Sequence, residues 1–279
     1  MIRIIVDSSA DYSLEELKEK NMEQVSLSIT VGDKSYRGGV DITADELYEM
    51  LIAGESFPKT SQPSPQDFLE VFEDAKEHGD SVVCITLSSG LSGTYQSAIL
   101  AKDMADYSEI YLVDSLAATH LIRIMADYAC KLRDEGKNAA EIAQAVKELQ
   151  PHVKVIFGVD TLEFLYKGGR LNKATAVIGE LANLKPIITI MEDGTLSVIG
   201  KCLGRNKALA FILKAITEKT LNPDFPVYSI YSHGSENTEK LEQKLEQSGI
   251  HCQARLQVGS TIGTHVGPGV FGISYVRKD

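Results

Sequence analysis

Over the first 150 residues, short apolar runs alternate with amphipathic stretches. Ile2 to Val6, Val82 to Ile85 and Ile110 to Val113 are almost continuously aliphatic, the pattern of strands buried on both faces. Each ends in polar residues: Asp7-Ser8-Ser9, Ser88 to Thr94, and Asp114-Ser115. The intervening stretches carry helix-start signals. Ser13-Leu-Glu-Glu16 and Thr43-Ala-Asp-Glu46 are capping boxes, opening helices to about Lys20 and over Leu47 to Ile52. Ser64, with Pro65 in the first helical position, opens a helix to about Glu77, and Asn138 caps Ala139 to Leu149. Helices are also predicted over Gln96 to Met104 and over Ala117 to Asp134. Gln24 to Thr30 reads as one strand. The two prolines of Lys59-Thr60-Ser61-Gln62-Pro63-Ser64-Pro65 argue against a regular strand there and for an extended loop. Such βα alternation predicts a parallel α/β sheet, whose ligands sit at the carboxyl ends of the strands.

From Val153 the pattern changes. Val155 to Val159, Pro186 to Met191 and Leu196 to Lys201 read as strands, the last two joined by a hairpin at Glu192-Asp193-Gly194. A helix over Lys207 to Lys219, a strand Val227 to Tyr231, a helix Thr238 to Gln247, a strand Cys252 to Val258 and a strand Phe271 to Val276 follow. The expected architecture is a two-domain α/β protein: an N-terminal parallel-sheet domain over 1–152 and a C-terminal α+β domain with a mixed sheet over 153–279. No linker-like segment separates them.

Charge and composition narrow the partners. The net charge is −11 and no basic block is present, which argues against nucleic acid or anionic membrane as a non-specific partner. Cys84, Cys130, Cys202 and Cys252 lie far apart with no ligand-spaced neighbours and read as reduced core thiols, not as a metal site. No apolar stretch is long enough to span a bilayer, and a cytoplasmic location is expected.

The richest candidate chemistry is Leu87-Ser-Ser-Gly-Leu-Ser-Gly-Thr-Tyr95. Its hydroxyls, two glycines and the outward amides of a helix start suit an anion. The alternative is that Ser92 only caps the helix beginning at Gly93. Gly90-Leu-Ser-Gly93 is one residue short of the Gly-x-Ser-x-Gly nucleophile elbow. Gly267-Pro-Gly-Val-Phe-Gly272 matches a dinucleotide fingerprint in letters only, because too little chain follows for the crossover helix. It does supply a compact turn beside His265, read as a loop histidine. Lys167 and Arg170 flank a glycine pair, and Arg205 follows Gly204; guanidinium groups placed so suit phosphate or carboxylate.

Val6-Asp-Ser-Ser9, Thr60-Ser-Gln-Pro63, Ser88 to Tyr95, Val113-Asp-Ser115, Tyr166-Lys-Gly-Gly-Arg-Leu171, Asn183-Leu-Lys-Pro-Ile187 and His265-Val-Gly-Pro-Gly269 together resemble the DegV family of bacterial fatty acid-binding proteins. The resemblance implies a non-catalytic protein enclosing one long-chain fatty acid as ligand, with no other cofactor. It assigns the acyl carboxylate to Thr60, Ser92 and His265, with Ser61 and the Gly93 amide as neighbours. It implies a separate ATP-dependent fatty acid kinase as partner, which makes acyl phosphate, with Arg170 and Arg205 in phosphate or kinase contact. The apolar residues of Ile178 to Ile190 are candidates for the tail lining. Family members commonly have small residues and glycines after Val113-Asp-Ser115, whereas Ala117 to Arg123 is bulkier here. Two other readings stay open: an esterase using Ser92 and His265, and a lipid-responsive binding module that works without a kinase.

Overall fold

A computed structural model describes residues 1–54, 56–171, 183–216 and 220–278. The chain opens with strand β1 (Ile2–Asp7), helix α1 (Leu14–Glu19) and strand β2 (Met22–Val25). An antiparallel excursion follows: β3 (Ser28–Val31), β4 (Lys34–Arg37), helix α2 (Ala44–Ile52) and β5 (Lys59–Ser61). The chain then continues through α3 (Pro65–His78), β6 (Ser81–Thr86), α4 (Thr94–Ala105), β7 (Ile110–Asp114), α5 (His120–Asp134) and α6 (Ala139–Leu149). Strands β2-β1-β6-β7 form a parallel sheet, and β4-β3-β5 a small antiparallel one. The capping boxes at Ser13 and Thr43 are present, and Ser64 and Asn138 form boxes of the same kind with Asp67 and Glu141.

The second half comprises β8 (Val153–Gly158), α7 (Glu163–Lys167), β9 (Leu184–Ile190), β10 (Leu196–Leu203), α8 (Arg205–Ala215), β11 (Tyr228–Tyr231), α9 (Glu236–Gln247), β12 (Ala254–Gln257), α10 (Ser260–Val266) and β13 (Phe271–Val276). Its mixed sheet has the order β10-β9-β8-β13-β11-β12, parallel only between β11 and β12. Helix α5 belongs to both halves: it packs on β1 and β6 of one sheet and on β8 and β13 of the other. Both of its faces are therefore apolar, and Leu121, Ile122, Met125 and Ala126 are all buried. One hydrophobic cluster runs from Ile4, Val83 and Ile85 through α5 to Val155, Phe157 and Ile230.

Three expectations need correction. Gln24 to Thr30 is two strands in different sheets, because Leu27 spends its N–H on the Ser8 hydroxyl (3.0 Å) and its carbonyl on Gly38 (2.8 Å), which breaks the ladder. Residues Lys59–Ser61 do pair as a strand with β3, since Pro58 and Pro63, which lack a donor, lie outside the paired residues. Helix α5 starts at His120, not Ala117: Leu116 and Thr119 have positive φ (45° and 53°), and the Ala117 carbonyl accepts from the Ser88 N–H at 2.9 Å. The predicted end of a helix at Lys219 and the tail-lining candidates Ile178 to Ala182 lie outside the described residues.

Candidate functional site

The turn after β6 is built by acids at neighbouring strand ends. Buried Asp7 accepts from the Leu87 N–H through Oδ2 and from the N–H and hydroxyl of Ser9 through Oδ1; Asp114 Oδ1 accepts from the Ser89 and Leu116 N–H groups at 3.1 Å. Burial raises the Asp7 carboxyl above its usual range, and those hydrogen bonds pull it back. These carboxylates consume the early amides of the turn, so they shape it and leave anion binding to its later residues. The turn is also pinned to the β9–β10 hairpin. Ser88 Oγ donates to the Gly194 carbonyl at 2.8 Å, and a Cβ on Gly194 would meet that Oγ at 2.1 Å.

The N-cap of α4 is Gly93, with no side-chain cap. Ser92 Oγ bonds the Thr94 hydroxyl (2.9 Å) and only grazes the Thr94 N–H (3.4 Å), so capping does not consume it. It lines a cavity bounded by residues of both halves, enclosing about 720 Å³ of non-atom space with the solvent-open part included.

Six polar side chains share this cavity wall: Thr60, Ser92, Thr119, Arg170, Thr261 and His265, of which Thr261 bonds the Ser8 hydroxyl at 3.1 Å. A chain of contacts joins Thr60, Ser92, Arg170 and His265. Arg170 Nε donates to the carbonyl of Leu91, next to Ser92, at 3.1 Å, and Nη1 donates to the Gly168 carbonyl at 2.6 Å. Gly168 packs closely against the imidazole, since a Cβ there would be 2.2 Å from His265 Nδ1. His265 Nε2 in turn bonds Thr60 Oγ1 at 2.7 Å. On the far side, Gln62 locks the Thr60 strand to α4: its Nε2 donates to Ser97 Oγ at 3.0 Å, and its carbonyl lies where a Gly93 Cβ would be, 2.1 Å away. Apart from Thr119 and Thr261 the rest of the wall is apolar, with Val155, Phe157, Leu165, Ile230, Val258 and Val270 all buried.

His265 is not on a loop, as the sequence suggested, but in the last turn of α10. Gly259 and Gly267 (φ 70°) delimit this helix, and its Ser, Thr and Gly content is weakly helix-forming, so tertiary packing against α2 and α7 holds it. The imidazole is 7% exposed, and burial, with Arg170 adding repulsion, pushes its pKa down to about 3. It is neutral at pH 7. Buried Nδ1 has no partner. A proton on Nε2 strands only a lone pair, whereas the other tautomer would strand an N–H donor. The Nε2–H therefore donates to Thr60 Oγ1, and the Thr60 O–H is free to donate into the cavity. Around His265 the wall offers the Thr60 and Ser92 hydroxyls and the half-buried Arg170 guanidinium, which burial pulls below its ordinary value. This is a donor-rich stretch of a mostly apolar chamber.

Not every expected residue joins it. Ser61 follows Thr60 on β5, and strand alternation turns it to the opposite face, where it is exposed. Gly93 acts as the seat of Gln62 at the start of α4. Arg205, at the start of α8, is half exposed and pairs with Asp160 (3.5 Å), which also accepts from Lys185 Nζ at 2.6 Å. Neither Asp160 nor Arg205 lines the cavity. Ser92 and His265 each bond a different threonine, and no carboxylate orients Nδ1, so they do not form a nucleophile–base pair. Ile190 alone of the described tail-lining candidates reaches the cavity. Sequence reasoning missed Gln62, Ser97 and Gly168. The first and last stood inside quoted motifs, but their use depends on contacts far along the chain. Among the described residues no cluster of His, Cys, Asp and Glu suits a metal ion, and no helix is long and apolar enough to cross a membrane.

Comparison with known proteins adds a consistent set of relatives. The profile of the DegV family, described as uncharacterised proteins, matches residues 1–278. A DegV domain-containing protein of Caldanaerobacter subterraneus is 38% identical over 281 aligned residues, covering 99% of each chain. A DegV family protein of Thermus thermophilus described for its fatty acid binding superposes with a TM-score of 0.89 at 33% identity, covering 99% of each chain. A stearic acid-binding protein of Eubacterium ventriosum superposes at 0.88 with 29% identity, covering 100% of this chain and 99% of its own.

Proposed function

The chain belongs to the DegV family, and on that premise we propose that it binds one long-chain fatty acid, carboxylate against Thr60, Ser92 and His265 and tail along the apolar wall. The observation that carries this is a cavity in which the Thr60, Ser92, Arg170 and His265 groups, joined by one chain of contacts, share a wall that is otherwise mostly apolar. The Thr60 hydroxyl, freed by the His265 Nε2–H, and the Ser92 hydroxyl donate to the carboxylate oxygens. The neutral imidazole backs Thr60 and brings no second charge. Arg170, whose Nε and Nη1 make two carbonyl bonds among the described residues, lends long-range attraction to the acid. Tail burial dominates the energy: at about 0.8 kcal/mol per methylene, a chain of about fifteen contributes on the order of 12 kcal/mol before association costs. The head-group bonds, about 1–3 kcal/mol each, select an acid over an alcohol or ester.

A carboxylate held by hydroxyls keeps a lone pair for attack on phosphorus. We read the protein as a carrier that presents its acid to a separate ATP-dependent kinase, with Arg170 beside the acyl oxygen and Arg205 on the surface as phosphate or kinase contacts. The test is mass spectrometry of an organic extract of the purified protein, followed by phosphorylation with its host's acyl kinase and ATP. One fatty acid per chain and formation of acyl phosphate are expected. A protein that arrives empty and takes up no acyl chain refutes the binding reading; binding without phosphorylation favours the kinase-independent module. Turnover of acyl esters lost in Ser92→Ala would instead support the esterase, which the separate bonding of Ser92 and His265 disfavours.

A further inference from the structure

Asp11 stands just beyond β1 in a left-handed backbone conformation (φ 58°), and its side chain is 2% exposed. Neither carboxylate oxygen accepts a hydrogen bond of ordinary geometry. A buried acid left so poorly satisfied costs stability, and such a cost persists where a position serves a site. Two neighbours identify the service. Oδ1 presses on Gly259, the residue that starts α10, so closely that a Cβ there would be 2.3 Å away. Oδ2 is 3.8 Å from Nε2 of His120, the first residue of α5, whose ring bonds the Gln257 carbonyl at 3.0 Å just before Gly259.

Both helix starts lead straight to the cavity. Helix α10 carries Thr261, Ile262, His265 and Val266 of its wall, and His120 follows Thr119, another wall residue, which is held at φ 53°. We propose that Asp11 is a positioning residue for the carboxylate seat, fixing where α10 begins and thereby where His265 meets Thr60. The inference rests on the fatty acid reading.

The charges around Asp11 make this role sensitive to pH. From β1 it faces Asp7, from α5 His120 and Arg123, and from α2 the Tyr48 ring; Arg123 is itself held by Glu16 of α1 at 2.6 Å and stacks on Tyr12. Burial, with a smaller push from Asp7, raises the Asp11 carboxyl to about 7, against the pull of the Gly259 amide and Arg123. His120, pushed down to about 3 by burial, stays neutral and supplies no compensating charge. Above neutrality the ionised carboxylate attracts the unpaired amides at the start of α10; below it that attraction fades.

The experiment measures affinity of the full-length protein for α,α-difluorohexadecanoic acid, which stays ionised throughout, and for 1-hexadecanol, at about pH 8 and about pH 6. The wild-type preference for acid over alcohol is expected to fall about threefold to tenfold from the higher to the lower pH. Asp11→Asn should show the low preference at both pH values with alcohol affinity unchanged. A merely structural residue would weaken both ligands together, and that result overturns the proposal. So does a wild-type preference that is flat with pH, a measurement that needs no variant to fold. Gly259→Ala, which crowds Oδ1, should lower the preference while keeping its pH step. A wild type that binds neither ligand refutes the fatty acid reading; one that binds both with an unchanging preference refutes this inference alone.

Discussion

Gly168→Ala tests the head-group geometry with a single carbon atom. Gly168 has φ −74°, which alanine adopts without strain, so the backbone gives no reason for glycine. The added Cβ would stand 2.2 Å from His265 Nδ1 and 3.0 Å from the Phe164 carbonyl oxygen. An ordinary contact begins at 3.4 Å, so the ring must yield by 3.4 − 2.2 = 1.2 Å. Behind it Nε2 already sits 2.7 Å from Thr60 Oγ1, with no slack in that direction. The ring must swing aside, and the bond that frees the Thr60 hydroxyl for the ligand is lost or misaligned. One such bond to a charged group is worth about 1–3 kcal/mol, a loss of about fivefold to more than a hundredfold in affinity for the acid. The tail wall is untouched, so hexadecanol should bind as before. Isothermal titration with palmitate and hexadecanol separates the two, and thermal melting checks the fold, for which crowding costs about 1–3 kcal/mol. Palmitate binding at wild-type strength in a folded Gly168→Ala protein would refute the assignment of His265 and Thr60 to the head group.

Ser92→Ala and Thr60→Ala should each weaken fatty acid binding by about 1–3 kcal/mol in a displacement assay, with the larger effect at Thr60, whose loss also strands His265 Nε2. Arg170→Ala removes the charge that helps depress His265, so the imidazole pKa, followed by NMR in the unliganded protein, should rise from about 3 toward its ordinary value; no movement would show that burial alone sets it. His120 and His265 are buried neutral with folded pKa values of about 3 against 6.5 unfolded, so each makes the unfolded chain the better proton acceptor as pH drops below 6.5. Each therefore removes up to about 1.4 kcal/mol of stability per pH unit between those values. Asp11, raised to about 7, acts in the opposite sense, its stabilisation being greatest below 3.8 and lost as pH rises through 7. Denaturant melts between about pH 6 and pH 4 should show the slope with pH shallower by about one proton in His120→Gln, and an unchanged slope would contradict its neutral burial.

The sequence reveals most about features specified by neighbours in the chain. Capping boxes at Ser13 and Thr43, Pro65 at a helix start and the Gly194 hairpin are local chemistry, and the structure has them where the letters put them. Leu27 shows the limit. Its partners are Ser8 and Gly38, so the break between two sheets is written in residues that no local pattern connects. Helix α10 escaped for the same reason: a Ser-Thr-Gly stretch reads as loop, and only burial against α2 and α7 makes it helical. Ser92 and His265 were legible as hydroxyl and imidazole groups beside glycines and Thr60 only through the family resemblance, yet their meeting at one wall, and the turning of Ser61 away from it, follow from strand pairing and helix placement alone.

Because α5 serves both sheets and the cavity opens beside it, the chamber interrupts the same apolar cluster that joins the two halves. On the proposed reading an acyl chain lying there would be ligand and core at once. Loading stabilises the fold by mass action, about 4 kcal/mol when free ligand exceeds the dissociation constant a thousandfold. Resistance to proteolysis in the cell would then track the supply of free fatty acid, and the abundance of the protein would follow its ligand without any regulator of its synthesis.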